Sequence, residues 1–167
     1  MIRRVTQTAL ESKADEVIVV LGWQADRIRA ALHGLSCRTI VNTNFEVGQS
    51  SSVRTGLAAV NSSADAVLIL PGDVAMVNAR SINKVIDKYH LEKHMIVIAG
   101  HGGKPGHPIL FDRLLFPEIE HINEESFGLK AVVKKHAGEI CLVETGSSNV
   151  LKDIDTLEDL HTISQHG

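Results

Sequence analysis

Residues 66–77 read AVLILPGDVAMV: five apolar residues, then a turn through Pro71 and Gly72 to Asp73. An unbroken apolar run predicts a strand covered on both faces, as in a parallel sheet lying between helical layers. In open sheets of that kind the ligand lies beyond the carboxyl ends of the strands. A carboxylate carried to such a strand tip is well placed to hold a divalent cation. Magnesium in particular combines one or two carboxylates with phosphate oxygens and water. Asp73 is therefore a candidate metal ligand, with Gly72 letting the ligand approach. The competing reading is a plain turn, because Pro, Gly and Asp are all common turn residues.

Outward from this stretch the chain alternates in the same manner. EVIVVLG (16–22), RTIVN (38–42), MIVIA (95–99), HPILF (107–111) and EICLVE (139–144) read as strands. Amphipathic helices are predicted between them over 24–32, 79–90, 127–136 and 156–163. In 79–90, Ile82, Val85, Ile86 and Tyr89 fall on one face. The pattern predicts one α/β domain over 1–167, a Rossmann-like three-layer fold with a mostly parallel sheet. The opening is unusual. MIRRVTQTALESKAD (1–15) reads as a helix and the first strand follows it, whereas an α/β nucleotide-binding fold opens on a strand.

Composition narrows the function. The 167 residues carry 44% hydrophobic and 22% charged side chains and a net charge of -3. A polymeric nucleic acid partner calls for a basic stripe, which is not found here. No apolar run approaches the roughly 20 residues of a membrane span. Cys37 and Cys141 lie far apart in apolar runs and read as small hydrophobes in a reducing cytoplasm.

Three further stretches carry polar groups toward the strand ends. NTNFEVGQSSSVRTGLAAV (42–60) leads from Asn42 through Gly48 into Ser50, Ser51 and Ser52 at a helix start. Free N–H groups and hydroxyls there suit an anion or a nucleobase edge, although a serine is also an ordinary helix cap. HGGKPGHPILF (101–111) is glycine-rich and re-enters a strand at Gly106, His107 and Pro108; the alternative is a surface hairpin. LKDIDTLEDL (151–160) sets Asp153 and Asp155 before the last helix, where Thr156 and Asp159 resemble a capping box.

In order and spacing, DEVIVVLG, N…GQSSSVRTGL, LILPGDVAMV, GHPILF and DIDTLEDL resemble the molybdenum cofactor nucleotidyltransferase family, its cytidylyltransferase branch in particular. The resemblance spans essentially the whole chain. It implies a cytoplasmic, magnesium-dependent enzyme that transfers CMP from CTP to a molybdopterin acceptor and releases pyrophosphate. On it, Asp73 and Asp155 match the metal carboxylates. Asn42, Gly48, Ser51, Ser52 and Gly72 match the nucleotide segment. Gly106, His107 and Pro108 match the acceptor loop, with His107 and Asp73 acting in catalysis.

The sequence departs from the family at Ala75 and Leu157, where prolines are usual, and at its front. The glycine-rich loop with its arginine and lysine is missing, so the expectation is an N-terminally truncated fold. Its first strand, central between 16–22 and 66–70, is absent, leaving open strand edges. Loss of that loop implies weak triphosphate binding and little turnover by these residues alone. The alternatives are a guanylyl or sugar-phosphate nucleotidyltransferase, and a non-catalytic accessory protein of a molybdoenzyme. A homo-oligomer is compatible with each.

Overall fold

Six strands and six α-helices alternate over residues 1–151, the part of the chain that the computed structural model describes. In order they are α1 (Ile2–Leu10), β1 (Ile18–Leu21), α2 (Ala25–Ala31), β2 (Arg38–Val41), α3 (Gln49–Ala58) and β3 (Ala66–Ile69). Then come α4 (Ala79–Glu92), β4 (Ile96–His101), β5 (Lys104–Asp112), α5 (Phe116–Ile119), α6 (Leu129–Lys135) and β6 (Ile140–Glu144). The helix expected over 156–163 lies outside the described residues.

The strands form two sheets. β1 and β2 pair in parallel, Ile18 opposite Arg38. The other sheet has the order β3-β5-β4-β6. In it β4 and β6 are parallel, but β5 runs antiparallel to both β3 and β4. The sheet is thus mixed, where the sequence suggested mostly parallel pairing. Gly102 and Gly103 decide this. With φ of 58° and 76° they form a two-residue turn between paired His101 and Lys104, which only antiparallel strands can use. The apolar character of β5 reflects burial on both faces and says nothing of direction.

Side-chain alternation divides the core into two layers. Val97, Ala99 and Leu110 turn to one face and pack with Ile82, Val85, Ile86 and Tyr89 of α4. Ile96, Ile98 and Phe111 turn to the other and pack with Leu57 of α3, Ile119 of α5 and Val132 of α6. Helices on both sides of the sheet complete the three-layer, Rossmann-like arrangement. Asn78 starts α4, its side-chain oxygen accepting from the Ser81 amide at 2.9 Å, a cap typical of such positions.

β1 and β3 fall in different sheets. Among the described residues β1 pairs only with β2, and β3 only with β5. Two helices span the division. α3 sets Gly56 against Val20 of β1 and Leu57 in the cluster with Val67 and Ile69 of β3. α1 packs Val5 on Ala75 and Leu70 while Arg3 donates to the carbonyls of Ala31 and His33, each at 2.9 Å. All four residues of β3 and three of β1 stay half-buried, whereas the first five of β4 are buried. Strands with one open edge should exchange their amides faster. Native-state hydrogen exchange is expected to show residues 18–21 and 66–69 at least about tenfold less protected than 96–99. Equal protection would mean that something covers those edges.

Candidate active site

Asp73 sits four residues beyond the carboxyl end of β3. The turn holds itself together through the backbone, the Val74 amide donating to the Pro71 carbonyl at 3.3 Å. The Asp73 side chain does not cap it. Its Oδ1 is buried and has no hydrogen-bond partner among the described residues. A buried carboxylate oxygen left unpaired costs free energy. Such an orphan oxygen fits a cation ligand, and the turn reading does not explain it. The residues present therefore fit a divalent cation at this end of β3.

Register places Gly106, His107 and Pro108 at the same end. Because β5 is antiparallel to β3, with Ile109 opposite Ile69, Pro108 and His107 lie level with the chain leaving β3. Pro108 is fully buried and the His107–Pro108 peptide is cis. Gly106 is needed for packing. A Cβ there would lie 2.1 Å from the Val150 carbonyl oxygen, where the segment after β6 crosses over. That segment is anchored by the Thr145 hydroxyl, which donates to the Gly100 carbonyl at 3.0 Å. It leads toward Asp155, which lies outside the described residues.

The serine segment is arranged differently from the free-amide expectation. Asn42 is buried at the end of β2 and donates to Ser51 Oγ at 2.8 Å and Ser52 Oγ at 3.0 Å. Its Oδ1 accepts from the Asn44 amide at 2.9 Å. Ser51 is buried as well, its hydroxyl lying 2.8 Å from the Gly48 carbonyl. Asn42 and Ser51 thus brace the loop from within, while Ser52 is half-buried at its margin.

The first turn of α3 already holds an anion. The Ser50 amide donates to Glu124 Oε1 at 2.6 Å. Gly48, at φ 117°, allows this approach, since a Cβ there would meet the Glu124 side chain at 2.6 Å. Sequence reading missed Glu124 because it lies 74 positions from its partner, in an unpatterned loop. The Ser50 hydrogen bonds hold the Glu124 carboxyl below the usual carboxylate value of 4.5. A lowered folded-state value adds stability above the usual one, and that stability is lost as pH falls through the folded-state value. Melts of the wild type and Glu124→Gln should therefore differ most near neutrality and converge in acid. A constant difference would refute the ionic cap.

At the start of α4, beyond the loop that carries Asp73, a polar cleft of about 240 Å³ is lined by Arg80, Ser81, Lys84, Thr145 and Ser147. Lys84 Nζ donates to the Thr145 carbonyl at 2.8 Å, tying the segment after β6 to α4.

Comparison with known proteins gives the family and the fold. Residues 1–140 match the MobA-like NTP transferase domain. Nicotine blue oxidoreductase of Paenarthrobacter nicotinovorans is 20% identical over 98% of this chain and 82% of its own. The bifunctional protein GlmU of Prochlorococcus marinus (strain MIT 9211) is 27% identical over 56% of the chain, which spans only 20% of that protein. Rv0371c from Mycobacterium tuberculosis H37Rv superposes with a TM-score of 0.78 at 26% identity, over 99% of this chain and 84% of that one. Its complex with manganese gives 0.75 at 25% identity, over 98% and 86%. CMP:2-keto-3-deoxy-manno-octonic acid synthetase complexed with CTP, at 14% identity and a TM-score of 0.75 over 99% and 86%, shows the shared fold alone. From its mixed three-layer sheet, the carboxylate at the end of β3 and the match over 1–140, this chain belongs to the MobA-like NTP transferase family.

Proposed function

We propose that the protein binds a nucleoside triphosphate and a divalent cation at the carboxyl ends of β2 and β3. On this reading it transfers CMP from CTP to a phosphate of a molybdopterin-type acceptor. The acceptor oxygen bonds to the α-phosphorus as the bond to pyrophosphate breaks. The observation that carries the reading is the buried Oδ1 of Asp73 beyond β3, which has no hydrogen-bond partner among the described residues. The manganese complex of Rv0371c supports the use of a divalent cation; on this reading Asp155 is its second carboxylate.

A bound magnesium or manganese ion would draw negative charge from the phosphoryl oxygens as the transition state forms. Asp73 would hold it from the turn that follows β3. Ser52, Gly48 and Gly72 line the nucleotide side, with Asn42 and Ser51 holding the serine turn in shape. Gly106, His107 and Pro108 present the acceptor, His107 lying level with the exit of β3. No helix among the described residues is long and apolar enough to cross a membrane, and the reading places the reaction in the cytoplasm. The edges of β1 and β3 that no described strand covers support a homo-oligomeric or molybdoenzyme partner.

Thermal unfolding with CTP, GTP and ATP, each with magnesium, with manganese and with neither, tests this. A nucleotide at a hundred times its dissociation constant adds about 2.7 kcal/mol of stability. The expected result is a metal-dependent rise that is largest with CTP. A larger rise with GTP would move the assignment to guanylyl transfer, and no rise with any nucleotide would overturn it.

A further inference from the structure

We propose that Glu92, His94 and Cys141 form a binding site for a zinc-class divalent metal, separate from the nucleotide site. Glu92 ends α4, His94 lies in the short link to β4, and Cys141 is the second residue of β6. Their ligand atoms all lie within 4.8 Å of one another. β3, β4 and β6 run in one direction, and the three residues cluster at the amino ends of β4 and β6. Asp73 follows the carboxyl end of β3, so the two sites occupy opposite ends of the sheet.

The donor set selects the metal. One thiolate, one imidazole and one carboxylate suit zinc or cobalt, whereas magnesium takes oxygen ligands. Tetrahedral bonds of about 2.0–2.3 Å set donors roughly 3.3–3.7 Å apart. His94 Nε2 and Glu92 Oε2, now 2.7 Å apart, would open slightly, and the Cys141 sulfur would close in. These are side-chain rotations on fixed elements. Lys93, in the left-handed conformation at φ 51°, ends the helix and holds His94 beside the sheet. Lys88 pairs with Glu92 Oε1 at 2.5 Å, which leaves Oε2 to face the metal, an outer-shell contact of the kind that orients ligands. The Glu92 and His94 side chains are 39% and 36% exposed, so a metal can enter and water can fill the fourth position.

Binding deprotonates the Cys141 thiol, whose proton goes to solvent, and replaces the His94–Glu92 hydrogen bond with two metal bonds, the proton on His94 Nε2 passing to solvent or, as the tautomer changes, to Nδ1. The site would pin the end of α4 to the sheet edge. Cys141 already packs against the α4 core there.

Cobalt(II) added to the reduced chain is the probe. The expected result is one equivalent bound, with a thiolate-to-cobalt charge-transfer band that zinc abolishes. Cys141→Ser should lose the band and His94→Ala should weaken cobalt binding by about tenfold or more. Cys37→Ser and Asp73→Asn should leave both unchanged. Zinc should raise the melting temperature of the wild type and not of Cys141→Ser. A wild type without the band overturns the site however the variants fold. A band that survives Cys141→Ser, or that disappears with Cys37→Ser, overturns it equally.

Discussion

Asp73→Asn is expected to abolish the metal-dependent part of nucleotide stabilisation while leaving the ligand-free protein at least as stable as the wild type. The two effects have one cause. Oδ1 of Asp73 is buried and has no hydrogen-bond partner among the described residues, so in the ligand-free fold that oxygen has left water without gaining a bond from them. A neutral amide lowers the cost of that burial and cannot replace the carboxylate on a divalent cation. The loss should approach the whole metal-linked increment, about 2.7 kcal/mol at a hundredfold excess of ligand over its dissociation constant. If turnover is measurable, it should fall by at least about 10²–10³. Melting curves of both proteins, with and without manganese and CTP, separate the outcomes. A variant that keeps the metal-dependent rise removes Asp73 from the site, and one that is much less stable without ligand makes the carboxylate a structural group.

Gly106→Ala is expected to cost about 3 kcal/mol, a fall of roughly 6–12 °C in melting temperature for a chain of this size. The added methyl would lie 2.1 Å from the Val150 carbonyl oxygen and 2.7 Å from its carbon. Those are backbone atoms of a fully buried residue and cannot rotate away as a side-chain end can. Either the start of β5 or the segment over 148–151 must shift, and both adjoin the proposed acceptor loop. Gly138→Ala is the control, because nothing lies within 4 Å of its position. A melt of Gly106→Ala that matches the control would show that the contact yields.

Much of the fold was legible because burial leaves a pattern. The run 95–99 announced a core strand and the run 66–70 a strand, though an edge strand that is only half-buried, and the apolar face of 79–90 announced α4, whose Ile82, Val85, Ile86 and Tyr89 are all buried. Strand direction was not legible. β5 is as apolar as a parallel strand, and only the short turn at Gly102–Gly103 reverses it. The serine segment was readable as a helix start but not as a filled one, since Glu124 arrives from a distant loop. Nor was the division into two sheets legible, because which strands pair depends on long-range contacts that local periodicity does not report; among the described residues β1 and β3 fall in different sheets.

The sequence by itself determined the alternation of elements, the core strands and the carboxylate beyond β3, because hydrophobic period and turn chemistry are local properties of the chain. Only the tertiary structure decided which polar groups are satisfied. It paired Glu124 with the Ser50 amide, enclosed Asn42 and Ser51, and left Asp73 Oδ1 without a partner among the described residues. Satisfaction depends on which distant segments meet, and no local pattern encodes that meeting.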